Sequence, residues 1–105
     1  QGFNVGGSME EVIYLNELYD FYGSLLTDKQ RDYFENYYFN NLSLGEMAEN
    51  YGVSRNAIHK QLKIVEERLK YYEENLELLE KSKKAEELVQ KINDKKLRDE
   101  ILELF

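Results

Sequence analysis

Asn56, His59, Lys60 and Lys63 recur at i, i+3, i+4 and i+7, the spacing that puts side chains on one face of a helix. Ser54 and Arg55 stand immediately ahead of them. Together these six residues offer what a nucleic acid asks of a protein. Arginine suits guanine, asparagine suits adenine, and lysine suits guanine or a phosphate. The Ser54 hydroxyl and the adjoining helix amides can hold a phosphate. His59 is the one histidine of the chain. It has no cysteine beside it and no carboxylate within a turn to orient it, so its expected role is contact with a base or phosphate, not catalysis.

Other chemistries are poorly served. With no cysteine and one histidine, a thiolate or multi-histidine metal site cannot be built. The sequence holds neither a nucleophile elbow nor a phosphate-cradling glycine loop. The acids pair with no histidine and fall mostly opposite the apolar stripes, so a solvated face is expected of them. No enzyme activity, no cofactor and no metal follows from these residues.

The six candidates need a scaffold, and the residues before them describe one. Ser43 can cap a helix. Leu44, Met47, Ala48 and Tyr51 keep helical spacing behind it. Gly52 can take the left-handed conformation that ends a helix. Val53 is then expected to plug the corner, and Ser54 to cap a second helix with Ala57, Ile58, Leu62 and Val65 as its buried stripe. The small side chain of Ala48 suits a steep helix crossing. The register of small residue, glycine, corner, cap and inward aliphatic is that of a helix-turn-helix, which offers its second helix to a DNA major groove.

Charge is distributed to match. The whole chain carries −7. Residues 1–53 hold nine acids and two bases, and residues 71–105 hold ten acids and seven bases. Residues 54–70 hold Arg55, Lys60, Lys63, Arg68 and Lys70 against Glu66 and Glu67, the one net positive segment. Screening over ~10 Å makes this local sign weigh more than the total at a phosphate surface.

The rest of the chain reads as helices. Gln1 to Ser8 show no periodicity and precede Met9, a candidate initiator, so they are set aside as a cloning scar. Met9 to Leu26 forms a first helix with Val12, Leu15, Leu18, Tyr19, Tyr22 and Leu25 or Leu26 on one stripe. Thr27 caps a second, from Asp28 to about Asn40, whose Tyr33, Phe34, Tyr37, Tyr38 and Phe39 are expected in the core or an interface rather than as base-stacking platforms. Asn40-Asn41 breaks it. The second motif helix has no stop signal at Val65. Its stripe continues through Leu69, Tyr72, Leu76 and Leu79, which predicts one rod from Arg55 to about Lys81 with a break at Ser82. Helices over 83–92 and 95–104 follow, the latter capped by Asn93-Asp94.

Three stretches together resemble region 4 of bacterial sigma factors: Leu26-Thr-Asp-Lys-Gln-Arg-Asp-Tyr-Phe, Leu42-Ser-Leu-Gly-Glu-Met-Ala-Glu and Gly52-Val-Ser-Arg-Asn-Ala-Ile. With Leu15-Asn-Glu-Leu-Tyr-Asp-Phe-Tyr-Gly-Ser-Leu-Leu-Thr and the long charged tail, residues 9–105 resemble the small YlxM-like proteins of low-GC Gram-positive bacteria. That resemblance implies an all-helical DNA-binding protein. It also implies a link to protein targeting, because the family's genes lie beside those for the signal recognition particle GTPase and its receptor. Matching motif positions makes Ser54, Arg55, Asn56, His59, Lys60 and Lys63 the DNA-reading residues. The second helix carries fewer bases than a typical sigma region 4.

The expectation is therefore an all-α, sigma region 4-like helix-turn-helix bundle, with a long second motif helix and a C-terminal helical extension. Residues 9–70 form the helix-turn-helix domain and residues 71–105 an extension within the same domain. DNA is the expected partner. The signal recognition particle's RNA or GTPase is the alternative. Surplus apolar residues in 69–105 predict a homodimer through the C-terminal helices. With no apolar run near 18 residues, no membrane span is expected, and the absence of cysteine fits a cytoplasmic protein.

Overall fold

A computed structural model describes residues 8–105. Six α-helices and no strand occur among them. They are α1 Met9–Tyr22, α2 Asp28–Tyr38, α3 Leu44–Tyr51, α4 Arg55–Leu76, α5 Leu78–Val89 and α6 Lys95–Leu102, with a short 3₁₀ turn at Gly23–Leu25. The expectation for residues 1–7 lies outside the described residues. Ser8 does not belong with them: its side chain accepts from the Glu11 amide at 3.2 Å and caps α1.

The caps explain why the early helices start where they do. Thr27 and Gln30 form a reciprocal capping box at α2, with Gln30 N donating to Thr27 Oγ1 at 3.1 Å and Thr27 N to Gln30 Oε1 at 3.0 Å. α2 ends at Tyr38, and Asn41 takes a left-handed turn at φ 57°, which asparagine tolerates.

α4 is the spine. At 22 residues it runs about 33 Å at 1.5 Å per residue. Its first half packs Ile58 and Leu62 with Tyr33, Met47 and Ala48. Its middle packs Val65 and Leu69 with Leu15, Leu18, Tyr22, Leu26, Phe34 and Leu79. One rod thus crosses two adjoining cores, and Tyr38 touches both. The α2 aromatics serve packing as expected: Phe34 is fully buried and stacks on Tyr19 with centroids 4.4 Å apart, and Tyr33 meets Tyr51 edge-on at 4.5 Å. Phe39 is about half exposed but still packs edge-on against Tyr19 and Phe34, with centroids 5.6 and 5.8 Å away.

The predicted rod from Arg55 to Lys81 is too long. α4 stops at Leu76, Glu77 turns left-handed at φ 55° and ψ 31°, and Ser82 lies inside α5. The reason lies in one distant residue and one in the preceding turn. The Tyr22 hydroxyl, from α1, donates to Glu73 Oε1 at 2.6 Å and accepts from the Leu78 amide at 3.0 Å. The Glu73 carboxylate accepts from the amides of Leu79 and Glu80 at 3.1 and 3.0 Å. The orphan donors of a new helix are therefore satisfied from α1 and from the preceding turn. Burial, then the bond to Glu73, pushes the Tyr22 hydroxyl up to about 12. α5 also ends three residues earlier than expected, at Val89, and α6 two residues earlier, at Leu102.

Candidate nucleic-acid interface

The unit formed by α3 and the first half of α4 is built from local signals. Ser43 Oγ accepts from Glu46 N at 3.0 Å, and Glu46 Oε1 accepts from Ser43 N at 2.8 Å, a second capping box. These bonds to Ser43 hold the Glu46 carboxyl below its usual range. At the other end Gly52 sits at φ 68°, ψ 36°. The Val53 amide donates to Ala48 O at 3.0 Å and the Gly52 amide to Glu49 O at 3.3 Å. That bond pair is a Schellman motif, and a Cβ at its left-handed position would be strained. Ser54 Oγ then accepts from Ala57 N at 3.0 Å and starts α4.

Ile58, Leu62 and Met47 are fully buried at the crossing, with Ala48 beneath them. Val65 of the predicted stripe is buried too, while Ala57 is half-buried. Val53 contradicts the expectation: it does not plug the corner but is 42% exposed, because the Schellman turn is closed by backbone bonds alone.

Of the six candidates, Ser54, Arg55, Asn56, Lys60 and Lys63 are exposed and His59 is half-buried. They occupy consecutive turns of one helix, so the structure brings them together. Their status differs. Lys63 Nζ lies 3.7 Å from the Glu66 carboxylate, which draws its charge inward. Lys70, one of the cations behind the positive segment, is held by Glu11 at 2.6 Å. Among the six, Arg55 and Lys60 are the exposed cations in no ion pair with an acid, and exposed Asn56 lies between them in sequence. No acid occurs anywhere in residues 54–65.

The order of charges along α4 is informative. Helices gain stability from acids in the first turn and bases in the last. α4 has no acid in its first turn and begins with Arg55, and its last turn carries no base. A cation at that end disfavours the isolated helix.

Two features escaped the residue pattern. Gly45 lies in the first turn of α3, and a Cβ built there would sit 2.8 Å from Arg55 Nη2 and 3.1 Å from both Cζ and Nε. The Arg55 guanidinium lies against the α3 backbone. A glycine inside a helical pattern, which signals close approach, was the clue. The second feature is the acids. Three are tied into the fold: Glu66 is buried and accepts from the Tyr38 hydroxyl at 3.2 Å, half-buried Glu73 caps α5, and half-buried Glu35 accepts from the Tyr19 hydroxyl. Desolvation raises the Glu66 carboxyl above its ordinary value, with the Lys63 charge and the Tyr38 bond working against it. Such partners lie far apart in sequence and leave no periodic trace.

Among the described residues no helix is long and apolar enough to cross a membrane. No group of three or more His, Cys, Asp or Glu is placed there to hold a metal ion.

Residues 9–104 match the model of a family described as "Putative helix-turn-helix protein, YlxM / p13 like". The chain belongs to the UPF0122 family. It is 48% identical over 84 residues to a UPF0122 protein of Bacillus cereus, covering 80% of this chain and 76% of that one. It is 44% identical over 85 residues to one from Caldanaerobacter subterraneus, covering 81% and 73%. A UPF0122 protein of Halalkalibacterium halodurans is 44% identical over 86 residues, covering 82% and 79%. The resemblance to the YlxM-like group is thereby shown, and with it a helix-turn-helix family membership and an all-α fold.

Proposed function

We propose that this chain is a cytoplasmic, non-enzymatic DNA-binding regulator that presents the first half of α4 to a major groove. The observation that carries the reading is the charge order of α4. Arg55, Asn56 and Lys60 are exposed on a helix start where a cation disfavours the helix itself. The groove is wide enough to admit such a helix, and the three residue types suit base edges and phosphate oxygens. The test is a mobility shift with the DNA upstream of the protein's own gene, run beside signal recognition particle RNA and its GTPase, across a salt series. About three phosphate contacts should give a log K against log salt slope near −3. Preferential binding to the particle's RNA or GTPase, with Arg55→Ala silent, would favour the alternative of a targeting accessory.

Assembly is a second proposal. No residue of α6 is buried, and its Leu97 is 43% exposed, with Leu104 just past the helix end at 79%. Leu97 and Ile101, four residues apart, share one face of α6. Two copies pairing through α6 would also present two recognition helices, as half-site binding requires. Light scattering at tens of micromolar should give twice the chain mass of 12.6 kDa, and a monomer would remove the proposal.

A further inference from the structure

We infer that Gly45 of α3 is a positioning residue for the nucleic-acid face, because its missing side chain is the seat in which the Arg55 guanidinium rests. This rests on the reading of α4 above and goes beyond it, by naming a residue outside the recognition helix that sets how its first cation is aimed.

The geometry is specific. Three atoms of the Arg55 head group, Nη2, Cζ and Nε, lie within 3.1 Å of where a Cβ on Gly45 would stand. Favourable separations for such atoms are ~3.5–4.0 Å, so the two cannot coexist. The obstructing atoms are the far end of a long flexible side chain, not backbone. A methyl group at position 45 would therefore displace Arg55 and leave the fold in place. Gly45 also needs no glycine for its own backbone: it sits inside α3, and the one positive-φ glycine among the described residues is Gly52. Glycine in a helix costs stability relative to alanine. The cost is incurred at a position of α3 that faces the Arg55 head group.

The consequence is one of orientation. A guanidinium is a planar fork whose value to a base or phosphate depends on its aim. Seated against α3, it is held at the corner between the two motif helices rather than sweeping through solvent. Association then orders one long side chain less, which is the advantage of a pre-organised contact.

The experiment uses the full chain with Gly45→Ala, Arg55→Ala and the double variant. A labelled duplex carrying the upstream DNA is titrated by fluorescence anisotropy. The Arg55 Nε–Hε order parameter is measured by NMR without DNA. Gly45→Ala should weaken binding about threefold to tenfold, the range that forcing a side chain off its rotamer costs. It should melt at the same temperature or higher. In the Arg55→Ala background Gly45→Ala should change binding no further. Arg55 Nε–Hε should be ordered in the parent chain and mobile in Gly45→Ala. Equal weakening in both backgrounds would overturn the inference, as would unchanged binding. If the parent chain binds no duplex, the DNA reading falls while the NMR arm still decides the seat, and an Arg55 head group mobile in the parent would refute it.

Discussion

The chain passes through the left-handed region at both ends of α4, and the two turns are made differently. Before α4 stands Gly52 at φ 68°, ψ 36°. After it stands Glu77 at φ 55°, ψ 31°. The first turn is closed by bonds within its own few residues and occupied by the amino acid that suits it. The second places an ordinary L-residue in a conformation that disfavours its Cβ, and it persists because Tyr22 and Glu73 hold the next helix in register. The recognition corner is thus specified locally, whereas the direction of the C-terminal hairpin is imposed by α1. A fixed corner is what a reading helix needs. A hairpin set by one hydroxyl and one carboxylate can be re-aimed by changing either.

The comparison can be broken first at the cores. Leu62→Ala should cost about 3 kcal/mol, since it empties a fully buried site beside the corner. Leu97→Ala on α6 should cost within about 0.5 kcal/mol in the monomer, because this side chain is exposed and no residue of its helix is fully buried. Urea unfolding measures both, and equal costs would erase the distinction. Next comes the tertiary joint. Tyr22→Phe leaves the Leu78 amide and the Glu73 carboxylate short of a partner, a loss of about 1–3 kcal/mol. Hydrogen exchange should quicken at Leu78, Leu79 and Glu80 ahead of the α3 amides.

The two left-handed residues sharpen the comparison directly. Gly52→Ala should destabilise by about 1 kcal/mol, the cost of a Cβ in that region. Glu77→Gly should instead raise stability by about 0.5 kcal/mol, relief of the same strain less glycine's entropy. Thermal melts that move in the same direction for both would refute the account of the second turn.

The smallest effect concerns pH. The folded chain holds a proton on Glu66 more tightly than the unfolded chain does, since burial raises this carboxyl above its ordinary 4.5. This group's contribution therefore grows as pH falls through its raised native value and levels off below the ordinary one. Glu66→Gln should stabilise by about 0.5 kcal/mol at neutral pH, with the difference shrinking in acid. A difference that widens in acid would reverse the assignment.

These contrasts explain what the sequence made legible. Ser43, Gly52 and Ser54 announce the corner because caps and left-handed glycines act within four residues of themselves. Thr27 and Asp94 announce α2 and α6 for the same reason. The break at Glu77 could not be read, since nothing in its own composition stops a helix and Tyr22, which holds the Glu73 cap and the Leu78 amide, is 55 positions away. The exposed candidates from Ser54 to Lys63 followed from helical spacing. The Arg55 seat on Gly45 and the inward pull of Glu66 on Lys63 depend on packing between helices, which spacing does not encode.

The most direct test is a salt titration of duplex binding for the parent chain and Lys60→Ala. The account predicts that the log–log slope loses about one unit of magnitude in Lys60→Ala, as one phosphate contact is removed, while the thermal melt stays where it was. Identical slopes for the two proteins, or a parent slope near zero, would contradict it.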